Sequence, residues 1–282
     1  MTKLNVFISV FRPFFPSKTR FIARETIVLS IDVKYSFPKQ AKFIKGLIRR
    51  FYGRFDKIVC QSEDMKNDLV SHFAQDVTKT IVINNPIDVV SIQKQIAKVG
   101  KESQQVPRLV SVGRLAPQKG FDRLLQAVSQ LPIDFRFDII GEGAEHERLI
   151  ELVQKLGITE KVRFLGQLQN PFSIVATSDV YVFGSRYEGF PNVLLEAGVC
   201  GVPIVAFRVL GGLNEIIEEG VNGFLVEDGE IEHFREKIVE ALNTKFNRKA
   251  IQEQTAKRFG LTKIIKQYEN LILSQVTEGI SS

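Results

Sequence analysis

Val180-Tyr-Val-Phe183, then Gly-Ser-Arg-Tyr-Glu188-Gly189-Phe190-Pro191-Asn192-Val193-Leu-Leu-Glu196, packs a strand, a loop and the start of a helix into one short stretch. β-branched and aromatic residues fill Val180–Phe183, as a buried strand requires. Pro191 suits a first helical position, where a missing N–H costs nothing. The same rhythm recurs along the chain. Strands are expected at Lys57–Cys60, Thr80–Ile83, Arg108–Val112, Phe135–Ile140, Val162–Leu165, Pro203–Ala206 and Phe224–Val226. Amphipathic stretches between them are Ser62–Phe73, Phe121–Gln130, Glu145–Leu156, Asn170–Thr177 and Ile231–Leu242. This alternation predicts an α/β chain with a parallel sheet covered by helices on both faces. Ser62 before Glu63 and Asp64, and Asn170 before Pro171, read as helix starts.

In such a sheet the ligand crevice lies beyond the carboxyl ends of the strands. Glu188 falls on a loop over that crevice and Glu196 in the second helical turn behind it. The first-turn amides of Asn192 and Val193 are free to hold an anion. Two carboxylates beside a helix N-terminus suit a sugar–diphosphate–nucleoside, since carboxylates accept from hydroxyls and amides hold phosphate. Val112-Gly113-Arg114-Leu-Ala-Pro-Gln-Lys119-Gly120 repeats the strand–loop–helix pattern. Gly113 permits close backbone approach, Arg114 offers a phosphate fork and Lys119 a point charge. Gly141-Glu142-Gly143 lacks the third glycine of a dinucleotide fingerprint and also reads as a tight turn. Leu165 could pack on a base, and Gly211-Gly212 with Glu215 could approach the same ligand.

Composition narrows the class. The chain has 282 residues with 44% hydrophobic and 25% charged, typical of a folded soluble-type domain pair. Cys60 and Cys200 are the only cysteines, so neither a disulfide framework nor a zinc pattern is expected. The longest uncharged apolar run, Ala197 to Phe207, is far short of the about 20 residues a spanning helix needs, and no signal peptide is expected. Residues 1–60 carry 13 Lys+Arg against 3 Asp+Glu, while the rest carries 25 against 29. The basic segment could face nucleic acid, an anionic membrane or a phosphorylated substrate, or simply be a solvated face. Lys39 to Arg54 reads as an amphipathic helix with Phe43, Leu47, Ile48 and Phe51 on one face. Val6 to Val10 reads as a strand, and Leu261–Leu273 as a closing helix. The polar run after Asn85-Pro86-Ile87-Asp88 reads as a linker. The expected organisation is residues 1–89, a linker 90–105, a unit 106–262, and a C-terminal helix and tail 263–282.

These motifs, in this order, resemble the family 4, group 1 glycosyltransferases of the GT-B fold. The matching residues run from Val110-Ser-Val-Gly-Arg114…Lys119-Gly120 through Ile140-Gly-Glu-Gly143 and Val162-Arg-Phe-Leu-Gly166. They continue through Glu188–Glu196, Gly201-Val-Pro203, Gly211-Gly212…Glu215 and Gly220-Val-Asn-Gly223. A weaker match extends upstream through Asp56–Ser62 and Val82–Asp88. The resemblance implies two Rossmann-like domains, the first one shortened here. It implies a retaining glycosyl transfer from a UDP- or GDP-linked sugar, with no metal and no cofactor besides that substrate. Catalytic roles would fall to Glu188, Arg114 and Lys119. Donor binding would fall to Gly113, Glu142, Leu165, Gly189, Phe190, Pro191, Asn192, Val193 and Glu196. The acceptor would be a lipid-linked or oligosaccharide glycan, such as lipopolysaccharide, capsule or exopolysaccharide. The place of work would be cytoplasmic, with residues 39–54 on the anionic inner face of the plasma membrane. The family's first-domain His has no counterpart in Ile22-Ala-Arg-Glu-Thr26, and His72, His146 and His233 read as surface residues on helices. An alternative is a truncated, inactive or non-catalytic subunit that binds the nucleotide sugar. No nucleic-acid module is recognised.

Overall fold

The computed structural model describes residues 2–97 and 106–280. Three strands, β1 (Ile22–Arg24), β2 (Lys57–Cys60) and β3 (Thr80–Val82), form a first parallel sheet in the order β1-β2-β3. Around it lie α1 (Thr2–Phe11), α2 (Leu29–Ser36), α3 (Ala41–Phe51) and α4 (Glu63–Phe73), followed by α5 (Val89–Ile96). The two-residue period of β2 sends Ile58 and Cys60 to one face, against Val28, Leu29, Ile48, Met65 and Phe73. Val59 points to the other face.

A second parallel sheet contains β4 (Arg108–Val112), β5 (Arg136–Ile140), β6 (Val162–Phe164), β7 (Val180–Phe183), β8 (Ile204–Arg208) and β9 (Gly223–Glu227). Its order is β6-β5-β4-β7-β8-β9, so the direction of winding reverses between β4 and β7. That reversal opens the crevice where such sheets bind ligands. The connecting helices are α6 (Phe121–Ser129), α7 (His146–Lys155), α8 (Phe172–Thr177), α9 (Asn192–Val199), α10 (Leu213–Ile216), α11 (Ile231–Asn243) and α12 (Arg248–Phe259). All four residues of β7 are buried, as expected for a central strand covered on both faces. The final helix, α13 (Leu261–Ile280), returns to the first sheet, where Ile264 and Leu271 pack with Val59 and Ile83.

Local chemistry explains several boundaries. The Ser62 hydroxyl accepts from Met65 N at 3.2 Å and caps α4. The Asn170 carboxamide accepts from Phe172 N at 3.1 Å and opens α8. Pro171 and Pro191 sit at the cap positions, one residue earlier than expected.

The structure corrects four expectations. Val6 to Val10 lies in the helix α1, and the strand that sequence reading missed is β1. Ile22-Ala-Arg24 holds a single β-branched residue, too weak a pattern to register. The stretch assigned to a linker begins as α5, capped by Asp88, whose carboxylate accepts from Ser91 N at 3.0 Å; the rest of that stretch, 98–105, lies outside the described residues. On α3, Ile48 is buried but Phe43 is 66% exposed, so Phe43 does not share the packed face. The closing helix is no separate tail but the second cover of the first sheet.

Candidate functional site

The loops after β4 and β7 meet at the reversal point. Gly120 has φ 60°, and a Cβ there would stand 1.9 Å from Gly184 O, so only glycine lets the two loops touch. Tyr181 ties the strands beneath them: its hydroxyl accepts from Val112 N at 3.0 Å and donates to Val112 O at 3.1 Å. Burial, with Glu196 and Glu188 nearby, pushes its phenol far up.

On this base Lys119 Nζ lies 2.5 Å from Glu188 Oε1. Glu188 is 8% exposed, so the pair is largely withdrawn from water. Arg123 braces the loop that carries Glu188. Its Nε donates to Gly184 O at 2.6 Å, its Nη2 to Ser185 O, and its guanidinium stacks on Phe207 at 4.0 Å. Sequence reading missed Arg123; the available signal was an Arg on the apolar face of α6, between Phe121 and Leu124. Arg186 is drawn away by Asp122, with Nη2 2.8 Å from Oδ2.

Glu196 is half-buried on α9, and desolvation raises its carboxyl above the ordinary range. Arg114 is exposed at the rim of a cavity of about 390 Å³ beyond β4 and β5. Gly113, Glu142, Gln167, Leu168 and Pro171 also line this cavity. A Cβ on Gly141, at φ 138°, would stand 2.0 Å from Gly113 O, which makes this turn glycine-dependent. Leu165 is not among the lining residues; Leu168 occupies the wall instead, while Leu165 packs half-buried against the core.

The first unit closes the other side. Gly189 lies so near the Thr26 carbonyl that a Cβ would stand 2.0 Å from it. Phe190 and Pro191 are buried, and Val193 is half-buried. The Asn85 carboxamide donates to Asn192 Oδ1 at 2.7 Å and to Phe190 O at 3.3 Å. Arg24 Nη2 in turn donates to Asn85 Oδ1 at 2.8 Å. Tyr35 stacks on Tyr187 with centroids 5.0 Å apart.

Gly211 and Gly212 lie against the site, since a Cβ would stand 2.5 Å from Glu188 O at the first and 2.6 Å from the Phe190 ring at the second, and together with Glu215 they also bind the first unit. Asp64 Oδ2 accepts from both Gly211 N and Gly212 N at 3.0 Å. Glu215 answers by accepting from Glu63 N at 2.7 Å and from Asn84 Nδ2 at 2.9 Å. Each carboxylate thus sits on a helix start of the opposite unit, where free amides favour anions. Burial raises the Glu215 carboxyl.

His72, His146 and His233 lie on α4, α7 and α11, with side chains 57%, 40% and 45% exposed. Among the described residues no group of three or more His, Cys, Asp or Glu is placed to hold a metal, and no helix is long and apolar enough to cross a membrane.

Comparison with known proteins matches this arrangement. The family described as "Glycosyl transferases group 1" matches residues 92–258, more than half of the chain. A Campylobacter jejuni protein named N-acetylgalactosamine-N,N'-diacetylbacillosaminyl-diphospho-undecaprenol 4-alpha-N-acetylgalactosaminyltransferase is 31% identical over 223 residues, 78% of this chain and 60% of that one. The Rhizobium meliloti lipopolysaccharide core biosynthesis glycosyltransferase LpsE is 35% identical over 132 residues, 47% of this chain and 38% of its own. The structure of Anabaena HepE with UDP-glucose superposes with a TM-score of 0.78 at 23% identity, over 97% of this chain and 77% of that one. The chain spans about 60% of the length of the first curated relatives it matches. The fold is GT-B, and the chain belongs to the group 1 glycosyltransferase family.

Proposed function

We propose that the cleft binds a UDP- or GDP-linked sugar and transfers the sugar, with retention and without a metal, to a growing cell-surface glycan. The observation that carries this reading is the Lys119–Glu188 pair, on the loops after β4 and β7 where the winding of the sheet reverses. In this reading the bond between the anomeric carbon and the diphosphate breaks, and the acceptor oxygen bonds to that carbon on the same face. The departing phosphate takes the acceptor proton. Arg114, Lys119 and the amides of Asn192 and Val193 face the charge growing on the diphosphate. Glu188 stands beside the sugar and keeps Lys119 in place. Glu196, desolvated, gains hydrogen-bond donors when ribose hydroxyls reach it. The cavity lined by Glu142 and Leu168 takes the base.

The relatives support the substrate class. HepE holds UDP-glucose, the Campylobacter relative's name contains a diphospho-undecaprenol, and LpsE is named for lipopolysaccharide core synthesis. We therefore place the chain on the inner, anionic leaflet, where nucleotide sugars and lipid-linked acceptors meet, with the basic face of α3 toward it. The test is calorimetric titration with UDP-glucose and GDP-mannose, followed by radiolabelled transfer to a lipid-linked acceptor. If Glu188→Ala leaves donor binding and transfer unchanged, the assignment fails.

A second reading is a nucleotide-sugar-binding subunit without transfer. It is favoured by the first sheet, where β1 pairs with β2 alone among the described residues. Donor binding without transfer, restored by no acceptor, would select it.

A further inference from the structure

Three side chains from different parts of the fold donate in one direction. Arg24 ends β1, Asn85 follows β3 and Asn192 opens α9. Arg24 Nη2 donates to Asn85 Oδ1 at 2.8 Å. Asn85 Nδ2 donates onward to Asn192 Oδ1 at 2.7 Å and to Phe190 O at 3.3 Å. Arg24 is held from behind by α13, where its Nε donates to Tyr268 Oη at 3.0 Å.

The direction is dictated by chemistry. A guanidinium donates and never accepts, so Arg24 commits the oxygen of Asn85. The two Nδ2 hydrogens of Asn85 are left for the oxygens of Asn192 and Phe190. Turned over, this buried carboxamide would set its nitrogen against Arg24 and its oxygen against two further oxygens, and all three bonds would be lost. Pro86 keeps the Asn85 backbone extended and fixes where the side chain starts. The bond from Asn85 in turn commits the oxygen of Asn192. Its carboxamide therefore presents Nδ2, a donor, at the opposite end, on the first turn of α9.

Two further features suit that end to an anion. Both acceptors of Arg24 are neutral oxygens, so no carboxylate within the relay cancels its charge. Hydrogen bonds in series polarise one another, and a cation at the head of the series strengthens each later N–H as a donor. The unpaired amides at the start of α9 carry positive charge on the same side.

We propose that Arg24 and Asn85 are positioning residues for the diphosphate, holding the Asn192 carboxamide with its Nδ2 turned toward the leaving phosphate. The inference rests on the donor reading above and gives the first unit a part in phosphate binding through Asn192, without a contact of its own.

The test compares nucleotide with nucleoside. UDP and GDP are titrated calorimetrically into the full chain, and uridine and guanosine are followed by ligand-observed NMR. Asn85→Asp keeps the shape but replaces the donor by an oxygen, which draws Asn192 Nδ2 to itself and turns the Asn192 oxygen toward the phosphate. The preferred nucleotide should bind about 10- to 100-fold more weakly, with nucleoside binding unchanged. Arg24→Met should act in the same way. Arg24→Lys, whose ammonium can still donate to Asn85, should restore most of the affinity. Asn192→Asp, at an exposed position, should also weaken the nucleotide alone. Equal losses of nucleotide and nucleoside mean damage to the cleft as a whole and overturn the relay. Variants at Arg24 and Asn85 that bind like the parent overturn it too, as does an Arg24→Lys chain no better than Arg24→Met. A parent chain that binds neither UDP nor GDP refutes the donor reading, and the relay falls with it; a parent that binds while the variants match it refutes the relay alone. Melting temperatures verify the fold, and if Asn85→Asp does not fold, the two variants at half-buried Arg24 still decide.

Discussion

Lys119 and Glu188 come from loops after different strands, yet Lys119 Nζ stands 2.5 Å from Glu188 Oε1 in a site mostly closed to water. Removing one partner leaves the other without its counter-charge. Lys119→Met and Glu188→Gln are each expected to lower glycosyl transfer about 100- to 1000-fold. Lys119→Met should also cost about 1–3 kcal/mol of stability, because a buried carboxylate loses its donor. The double variant should cost less than the sum of the two. Urea denaturation of all four proteins measures the coupling; strict additivity would mean the pair is not a functional unit.

Asp64 and Glu215 make the two units cap one another. Asp64→Ala frees the Gly211 and Gly212 amides and removes charge-assisted bonds of about 1.5–3 kcal/mol each. The expected outcome is a larger radius of gyration by solution X-ray scattering and weaker transfer. Nucleotide binding to the downstream unit should remain. An unchanged scattering profile would show that other contacts suffice to hold the units together.

Glu25 links acidity to stability. Burial pushes its carboxyl above the ordinary 4.5, outweighing the bonds from Asn5 and Tyr52. The folded state therefore holds this proton at pH values where the unfolded chain has released it. Stability is fully supported below about 4.5 and declines as pH rises through the folded-state value. Glu25→Gln keeps a carbonyl oxygen for Asn5 and Tyr52 and removes the buried charge. Its melting temperature should exceed the parent's at pH 8 and approach it near pH 4.5. A constant difference across that range would count against the assignment.

Gly189→Ala tests the closeness of the units. The new methyl would meet Thr26 O at 2.0 Å, and Ile27 Cα at 3.0 Å. Overpacking of this kind costs about 1–3 kcal/mol. The damage should appear as a raised KM for donor and as a more open scattering profile. Normal KM would indicate that the segment at Thr26 yields easily.

The two cysteines offer a folding readout. Burial pushes the thiols of Cys60 and Cys200 up to about 12. Both should resist Ellman's reagent in the folded chain and react together with the unfolding transition in urea. Early labelling of Cys60 alone would show that the first unit opens independently.

The downstream unit was legible because long strands with strong β-branched patterns carry their own period. Arg108–Val112 and Val180–Phe183 emerge with the bounds read from sequence. The first unit was harder. β1 holds one β-branched residue in its three, and α1 carries a pattern whose apolar side faces outward, so its hydrophobicity misled the reading of Val6 to Val10. At the site, sequence spacing brought Glu188 and Lys119 to the same crevice, but spacing gives no direction. It could not tell that Asp64 and Glu63 of the first unit meet Gly211, Gly212 and Glu215, nor that Leu168 rather than Leu165 lines the cavity. The first of these belongs to tertiary packing between segments more than a hundred residues apart.

The return of α13 sets an order of events during synthesis. Val59 and Ile83 leave the ribosome long before Ile264 and Leu271, the residues that cover them. Until those arrive, one face of the first sheet stays uncovered, while the second sheet already has its helices. The downstream unit is thus free to fold as it emerges, whereas the upstream one must wait for the last helix. Slow translation of the α13 codons would prolong that wait, and a chaperone that shelters β-strand faces would shorten its hazards. Of the two sheets, the one begun earlier is therefore the one finished later.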